Sequence, residues 1–194
     1  LHWELILQKD YKEDKILWEV LSSIRKRPIA MMEPKSRSDK NMKGLAKIAA
    51  QQLSDPTGPS VAIFDIGGFD THADQGGDNG EHAKKLKQFD DVIGTLKKYM
   101  GKTFNDTIIT SLTEFGRTIS QNGGSGTEHG YGTAILMAGG LLPKSRIISD
   151  WPGLEKKNLF EGRDLNSSID ARAIYASILA RVLESDHKKI VKDA

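Results

Sequence analysis

The sequence predicts an α/β fold in which a mostly parallel sheet is flanked by helices. Short apolar runs between turn residues are typical of buried strands. Such runs occupy 61–66, 107–112 and 134–138, and a shorter one lies near 146–148. Segments with apolar residues at helical spacing lie between and around them; they cover 41–54, 81–100 and 169–184. Alternation of strands and helices favours helices layered on a sheet.

The first forty residues are predicted to be a separate segment. Apolar residues recur at helical spacing over 11–27, and Pro28 ends that helix. The polar stretch 33–41 is predicted to be a loop. The chain therefore divides into a helical N-terminal segment, 1–40, and part of an α/β domain, 41–194. It begins without an initiator methionine, so we expect further residues upstream.

The composition is that of a globular protein, and it argues against several classes of function. The 194 residues are 38% hydrophobic and 28% charged, which is typical of a globular protein. The net charge is only +2, and no apolar run is long enough for a membrane helix. We therefore expect neither a nucleic-acid partner nor a membrane span. The absence of cysteine excludes disulfides, thiolate zinc sites and cysteine nucleophiles.

Polar residues follow the ends of the predicted strands. Asp70 and His72 come after the first strand, and Glu114 and Arg117 after the second. Glu128 and His129 lie in the loop before the third. Ligands gather at the carboxyl ends of strands in open α/β sheets, and carboxylates and imidazoles are common metal ligands. The pattern indicates a site for a divalent metal. The alternative is that Asp70 caps a turn and His72 hydrogen-bonds a loop.

Other kinds of site have little support. The glycines at 123–126 match neither the phosphate-binding loop nor the dinucleotide-binding fingerprint. No Gly-x-Ser-x-Gly elbow follows a predicted strand, so a serine hydrolase triad has no evident nucleophile.

Five spaced motifs resemble those of the bacterial family known as domain of unknown function 1501 (DUF1501). They are Gly-Gly-Phe-Asp-Thr-His at 67–72, Thr-Glu-Phe-Gly-Arg-Thr at 113–118, the stretch 122–130, Asp-Trp-Pro-Gly-Leu at 150–154 and Gly-Arg-Asp-Leu at 162–165. The resemblance covers roughly 40–185. It implies a distant relationship to alkaline phosphatases and sulfatases, and a phosphatase-like layered fold whose N-terminal strand is missing from this sequence.

The resemblance also implies roles for the site residues. Asp70, His72 and His129 match the ligands of one metal, zinc or manganese. Glu114 lies where the second metal would take an Asp-His pair, but the next residue, Phe115, cannot bind metal. Family members usually have Asp at the position of Glu128, whose longer side chain is expected to reach the metal. We therefore expect one well-formed metal site at most.

Two functions are compatible with these residues. The first is metal-dependent hydrolysis of phosphate or sulfate esters, with Arg117 either holding the anionic group or paired with Glu114 or Glu128. The second is a non-catalytic, exported binding or assembly protein with a degenerate phosphatase-like site. The resemblance implies a periplasmic or exported location. A missing strand exposes a sheet edge, so we also expect self-association.

Overall fold

The computed structural model describes residues 41–183, which form a mixed α/β structure. The helices are α1 (Met42–Leu53), α2 (Glu81–Met100) and α3 (Ala171–Leu183). Two 3₁₀ helices cover Gly101–Asp106 and Lys156–Asn158. The strands are β1 (Ile109–Thr110), β2 (Gly116–Arg117), β3 (His129–Gly130) and β4 (Met137–Ala138). The helix predicted over 11–27 lies outside the described residues.

Helices α1 and α2 begin and end where their sequences predict. The side chain of Asn41 accepts a hydrogen bond of 2.8 Å from the backbone N–H of Gly44, which caps the first turn of α1. Helix α2 ends at Gly101, whose φ of +56° is strained for other residues. Both predicted helices are confirmed, and so is the last one, as α3.

The core lies between α1 and α2. Ala46 and Ala50 of α1 are fully buried, and their small side chains let the two helices approach closely. Val92, Leu96 and Met100 form the facing stripe of α2, at the spacing of one helix turn. Partly buried residues from the next segments complete this cluster, among them Phe64, Ile66, Phe104 and Ile109.

Ion pairs join the same two helices at their surface. Asp91 of α2 accepts a hydrogen bond of 2.7 Å from Lys87, one turn earlier, and lies 3.0 Å from the ammonium of Lys43 in α1. These hydrogen bonds, first from Lys87 and then from Lys43, hold the pKa of Asp91 below its ordinary value.

The strands form two antiparallel ribbons. β1 pairs with β4, with Ile109 opposite Ala138. β2 pairs with β3, with Arg117 opposite His129. The mostly parallel sheet predicted from the sequence is not what residues 41–183 form. Only the middle of the run 107–112 and the end of the run 134–138 join a ladder.

The first predicted strand, 61–66, is wrong as a strand, since no ladder includes it. Phe64 and Ile66 pack on the core, whereas the side chain of Ile63 is 89% exposed. A continuous apolar run indicates a strand buried on both faces, and here the described residues cover only one face. The short strand predicted near 146–148 is likewise absent. No helix within 41–183 has the length and hydropathy of a membrane span.

Candidate metal centre

The hairpin of β2 and β3 positions half of the candidate site. Arg117 and His129 are partners in the ladder. Beyond them, the N–H of Thr118 donates to the carbonyl of Glu128 at 2.9 Å, and the N–H of Glu128 donates to Thr118 Oγ1 at 3.0 Å. Residues ten or twelve positions apart in sequence therefore lie side by side.

The segment 71–75 forms backbone hydrogen bonds with the loop of this hairpin. Backbone N–H groups of Asp74 and Gln75 donate to the carbonyls of Gly124 and Ser125, each at 3.0 Å, and the N–H of Thr127 donates to the carbonyl of Thr71 at 3.1 Å. Gly126 faces the backbone of residue 72 directly. A Cβ there would lie 2.3 Å from the carbonyl carbon of that residue, so glycine is required for the approach.

Three predicted ligands converge as a result. The distance from His72 Nε2 to Asp70 Oδ1 is 3.0 Å, that from His129 Nε2 to Asp70 Oδ1 is 3.1 Å, and that between the two Nε2 atoms is 3.1 Å. About half of each side chain is exposed. The three donor atoms therefore form a nearly equilateral triangle that is open to solvent.

The proton of a neutral His72 is not on the side of the ring that faces the triangle. The other nitrogen of His72, Nδ1, lies 2.9 Å from a carboxylate oxygen of Glu128, so Nδ1 carries the proton. In neutral His72 the lone pair of Nε2 then faces Asp70 Oδ1, which is also an acceptor. Two acceptor atoms that face each other repel. A positive charge between Nε2 of His72 and Oδ1 of Asp70 removes this repulsion. A proton can bridge one edge of the triangle, whereas a metal ion contacts all three atoms.

The donor set fits a divalent metal. Two imidazole nitrogens and one carboxylate oxygen are ligands that zinc accepts and that other transition metals share. Atoms bound to one zinc ion at about 2.0–2.1 Å are about 2.8–3.4 Å from each other for bond angles of about 90–110°, a range that includes the observed edges.

Arg117 lies against Asp70. Its Nη1 donates to Asp70 Oδ1, its Nε donates to Thr127 Oγ1 at 3.0 Å, and its Nη2 donates to the carbonyl of Thr127. Desolvation raises the pKa of Asp70, but the hydrogen bond from Arg117 and the charges of both histidines hold it below its ordinary value. The carboxylate paired with Arg117 is that of Asp70, and not that of Glu114 or Glu128, which the sequence offered as alternative partners.

Glu128 is adjacent to the triangle, but both of its carboxylate oxygens contact other groups. Oε2 binds Nδ1 of His72, and Oε1 accepts a hydrogen bond of 2.5 Å from Nδ2 of Asn122. Hydrogen bonds from Asn122 and then from His72 lower the pKa of Glu128. Within 41–183, the side chains that converge as metal ligands are Asp70, His72 and His129. Glu128 is not among them.

Phe115 lies against His129, and Glu114 precedes it in the chain. Glu114 is exposed in the turn before β2, and among the described residues it is not part of the converging group. The ring of Phe115 stacks on the imidazole of His129, with centroids 3.8 Å apart and planes inclined by 17°. Phe115 therefore packs directly on one of the three converging side chains.

Asn122 holds the hairpin loop against His72, a role that the motif 122–130 does not reveal. Its Oδ1 accepts from the N–H groups of Gly124 and Gly126, both at 2.9 Å, and its Nδ2 also donates to the carbonyl of His72 at 2.9 Å. Asn followed by glycines signals a turn, but the sequence does not show which distant segment that turn binds.

The Gly-Arg-Asp-Leu motif packs next to the hairpin of β2 and β3. Asp164 is nearly fully buried, pairs with Arg163 at 2.8 Å and forms an isolated bridge with Thr118. The N–H of Gly132, just past β3, donates to the carbonyl of Leu165 at 2.8 Å. The motif lies next to β3 and therefore beside His129.

A comparison with protein families decides the relationship. The model of the family described as "Protein of unknown function (DUF1501)" matches residues 22–194. This chain belongs to the DUF1501 family. No curated protein and no solved structure matches it at a significant level. All five motifs named above lie inside the matched range.

Proposed function

We propose that this DUF1501 protein is a metal-dependent hydrolase of phosphate or sulfate esters that holds a single divalent ion, zinc or manganese. The observation that carries the proposal is the triangle of Asp70 Oδ1, His72 Nε2 and His129 Nε2, with edges of 3.0–3.1 Å. A half-exposed triangle leaves one side of an ion accessible to a substrate.

The proposal includes a distant relationship to alkaline phosphatases and sulfatases, and with it their layered fold. Its support is the resemblance of Asp70, His72 and His129 to three ligands of one metal in that pattern. The packing of α1 and α2 together on one side of the segment 61–66 and of β1 is compatible with one layer of such a fold.

The chain's own residues have distinct tasks in this proposal. Asp70 is ionised at neutral pH, since the ordinary pKa of an Asp carboxyl already lies well below neutrality and the hydrogen bond from Arg117 lowers it further. His72 and His129 turn their Nε2 atoms to the same point. When bound, a divalent ion supplies Lewis-acid chemistry to an ester oxygen. Arg117 directs three of its N–H groups to protein atoms, so its proposed contact with the anionic group depends on the remaining ones.

The experiment measures metal content and turnover together. The protein is purified without chelator, its metals are determined by mass spectrometry, and hydrolysis is assayed on a panel of phosphate and sulfate esters. We expect about one zinc or manganese ion per chain and turnover that Asp70→Ala abolishes. A protein without bound metal, whose residual turnover is unchanged in Asp70→Ala, contradicts the proposal.

A second candidate is a non-catalytic binding or assembly protein. Phe115 favours it, since its ring stacks on His129 where the phosphatase pattern has a ligand of the second ion. This candidate predicts a folded, metal-poor protein that turns over no ester on the panel. Turnover that depends on Asp70 excludes it.

Self-association also stays a prediction. Leu112 and Leu136, next to the ribbon of β1 and β4, have side chains that are 74% and 52% exposed. Light scattering of the purified chain tests this, and a monodisperse monomer contradicts it.

A further inference from the structure

Both carboxylate oxygens of Glu128 are engaged on the outer side of His72. Oε2 lies 2.9 Å from Nδ1 of the imidazole, and Oε1 lies 2.5 Å from Nδ2 of Asn122. The two nitrogens of an imidazole point away from each other. A carboxylate bound to Nδ1 is therefore on the opposite side of the ring from Nε2, the atom that joins the triangle.

Asn122 closes these contacts into a ring of hydrogen bonds. Its Nδ2 donates to the carbonyl of His72 at 2.9 Å as well as to Glu128. Its Oδ1 is held by the N–H groups of Gly124 and Gly126 at 2.9 Å. The backbone and the imidazole of His72 are thus attached to the same loop, the first through Asn122 and the second through Glu128.

We infer that Glu128 is a positioning residue and not a metal ligand. By accepting the Nδ1–H of His72, it selects the tautomer whose lone pair is on Nε2, fixes the plane of the ring and increases the basicity of Nε2. The inference rests on the proposed function in one respect, since positioning matters only if Nε2 of His72 binds a metal. It replaces the expectation that Glu128 reaches the ion.

The test compares Glu128→Gln and Glu128→Ala with the control Glu155→Gln. Glutamine has one acceptor oxygen, whereas Glu128 accepts from two donors, so either His72 or Asn122 loses its acceptor. Glu155 is also an exposed glutamate with one ion pair, to Lys157 at 2.8 Å. The side chain of Glu128 is 53% exposed, so we expect its variants to fold, which circular dichroism verifies.

Two quantities are measured in each protein. The first is the tautomer of His72 in the metal-free protein, from the ¹⁵N chemical shifts of its imidazole. The second is the dissociation constant for Zn²⁺, by competition with a chelating dye. We expect the Nδ1–H tautomer in the wild type and in Glu155→Gln, and its loss in both Glu128 variants. We expect their Zn²⁺ affinity to fall by about 10–100-fold, while the control is unchanged.

The tautomer separates positioning from a purely structural role, because a residue that merely ties down the loop would not set it. Glu128 variants that keep both the wild-type tautomer and the wild-type Zn²⁺ affinity overturn the inference, while a wild type that binds Zn²⁺ still supports the proposed function. A Glu128 variant that loses Zn²⁺ altogether and keeps the tautomer shows a direct ligand and also overturns the inference. A wild type with the expected tautomer and no Zn²⁺ binding overturns the proposed function and, with it, the positioning role.

Discussion

Gly126→Ala tests how closely the two site segments approach. The added Cβ would lie 2.3 Å from the carbonyl carbon of His72 and 2.6 Å from the backbone N of Ala73. Ordinary contacts between heavy atoms are about 3.5–4.0 Å. Because both neighbours are backbone atoms, no side-chain rotation relieves the clash, and the segments must separate by about 1 Å.

This separation has a calculable effect on stability. The backbone hydrogen bonds Asp74 N–H to Gly124 and Thr127 N–H to Thr71, now 3.0 and 3.1 Å long, would exceed the range of a good hydrogen bond. At about 1 kcal/mol for each, their loss costs about 2 kcal/mol. For a chain of this size, that lowers the melting temperature by roughly 4–8 °C.

The same separation moves His72 away from His129, so we also expect Zn²⁺ affinity to fall by about tenfold or more. The matched control is Gly123→Ala in the same loop, because a Cβ at Gly123 meets nothing within 4 Å. Thermal unfolding of the metal-free proteins and Zn²⁺ titration of each give the two quantities. If Gly126→Ala unfolds at the same temperature and binds Zn²⁺ as tightly as Gly123→Ala, the close approach of the two segments is refuted.

Three further perturbations address the core, the helix pairing and the ligand support. Val92→Ala removes two buried methyl groups between α1 and α2, so urea unfolding should show a loss of about 2 kcal/mol. Ile63→Ala, at an 89% exposed side chain, should change stability by less than about 0.5 kcal/mol, and equal effects would contradict the described core. The lysine hydrogen bonds that lower the pKa of Asp91 contribute stability above the ordinary Asp pKa of about 3.9, and this contribution is lost as pH falls through the lowered pKa. Wild type should therefore be more stable than Asp91→Asn at pH 6–8 and lose that advantage on acidification below about pH 4, whereas a pH-independent difference argues against the ion pairs. Phe115→Ala removes the ring stacked on His129, a contact of about 0.5–1.5 kcal/mol. Zn²⁺ titration should show an affinity about 2–10-fold weaker, and an unchanged affinity would show that the stack does not orient the ligand.

The helices were predictable because their signals are local. The helical spacing of apolar residues predicts helices over 41–54 and 81–100, and the structure has them at Met42–Leu53 and Glu81–Met100. The strands were less predictable. The apolar run 61–66 predicts a buried strand, yet whether a strand forms depends on a hydrogen-bonded neighbour, and the run itself carries no information about that neighbour. For the same reason the sequence did not predict that β1 pairs with β4 in the antiparallel sense.

The choice of metal-ligand candidates was partly predictable from residue type. Asp70 and His72 share one side of an extended segment, and a histidine from a later loop is a natural third ligand. Residue type did not distinguish Glu128 from the three candidate ligands. A carboxylate can bind a metal, or it can accept a hydrogen bond from the second nitrogen of a histidine that does. That distinction depends on which nitrogen of His72 the carboxylate faces.

The sequence by itself determined helices α1, α2 and α3, the family, and the candidate ligands Asp70, His72 and His129, because these follow from local spacing and from motifs. Only the tertiary structure decided their arrangement. It paired the strands in antiparallel ribbons, directed Arg117 to Asp70 and placed Glu128 behind His72. The physical reason is that such contacts join residues that are not neighbours in sequence. The approach of the 72 and 126 segments, in particular, depends on backbone hydrogen bonds between two loops and on the missing Cβ of Gly126.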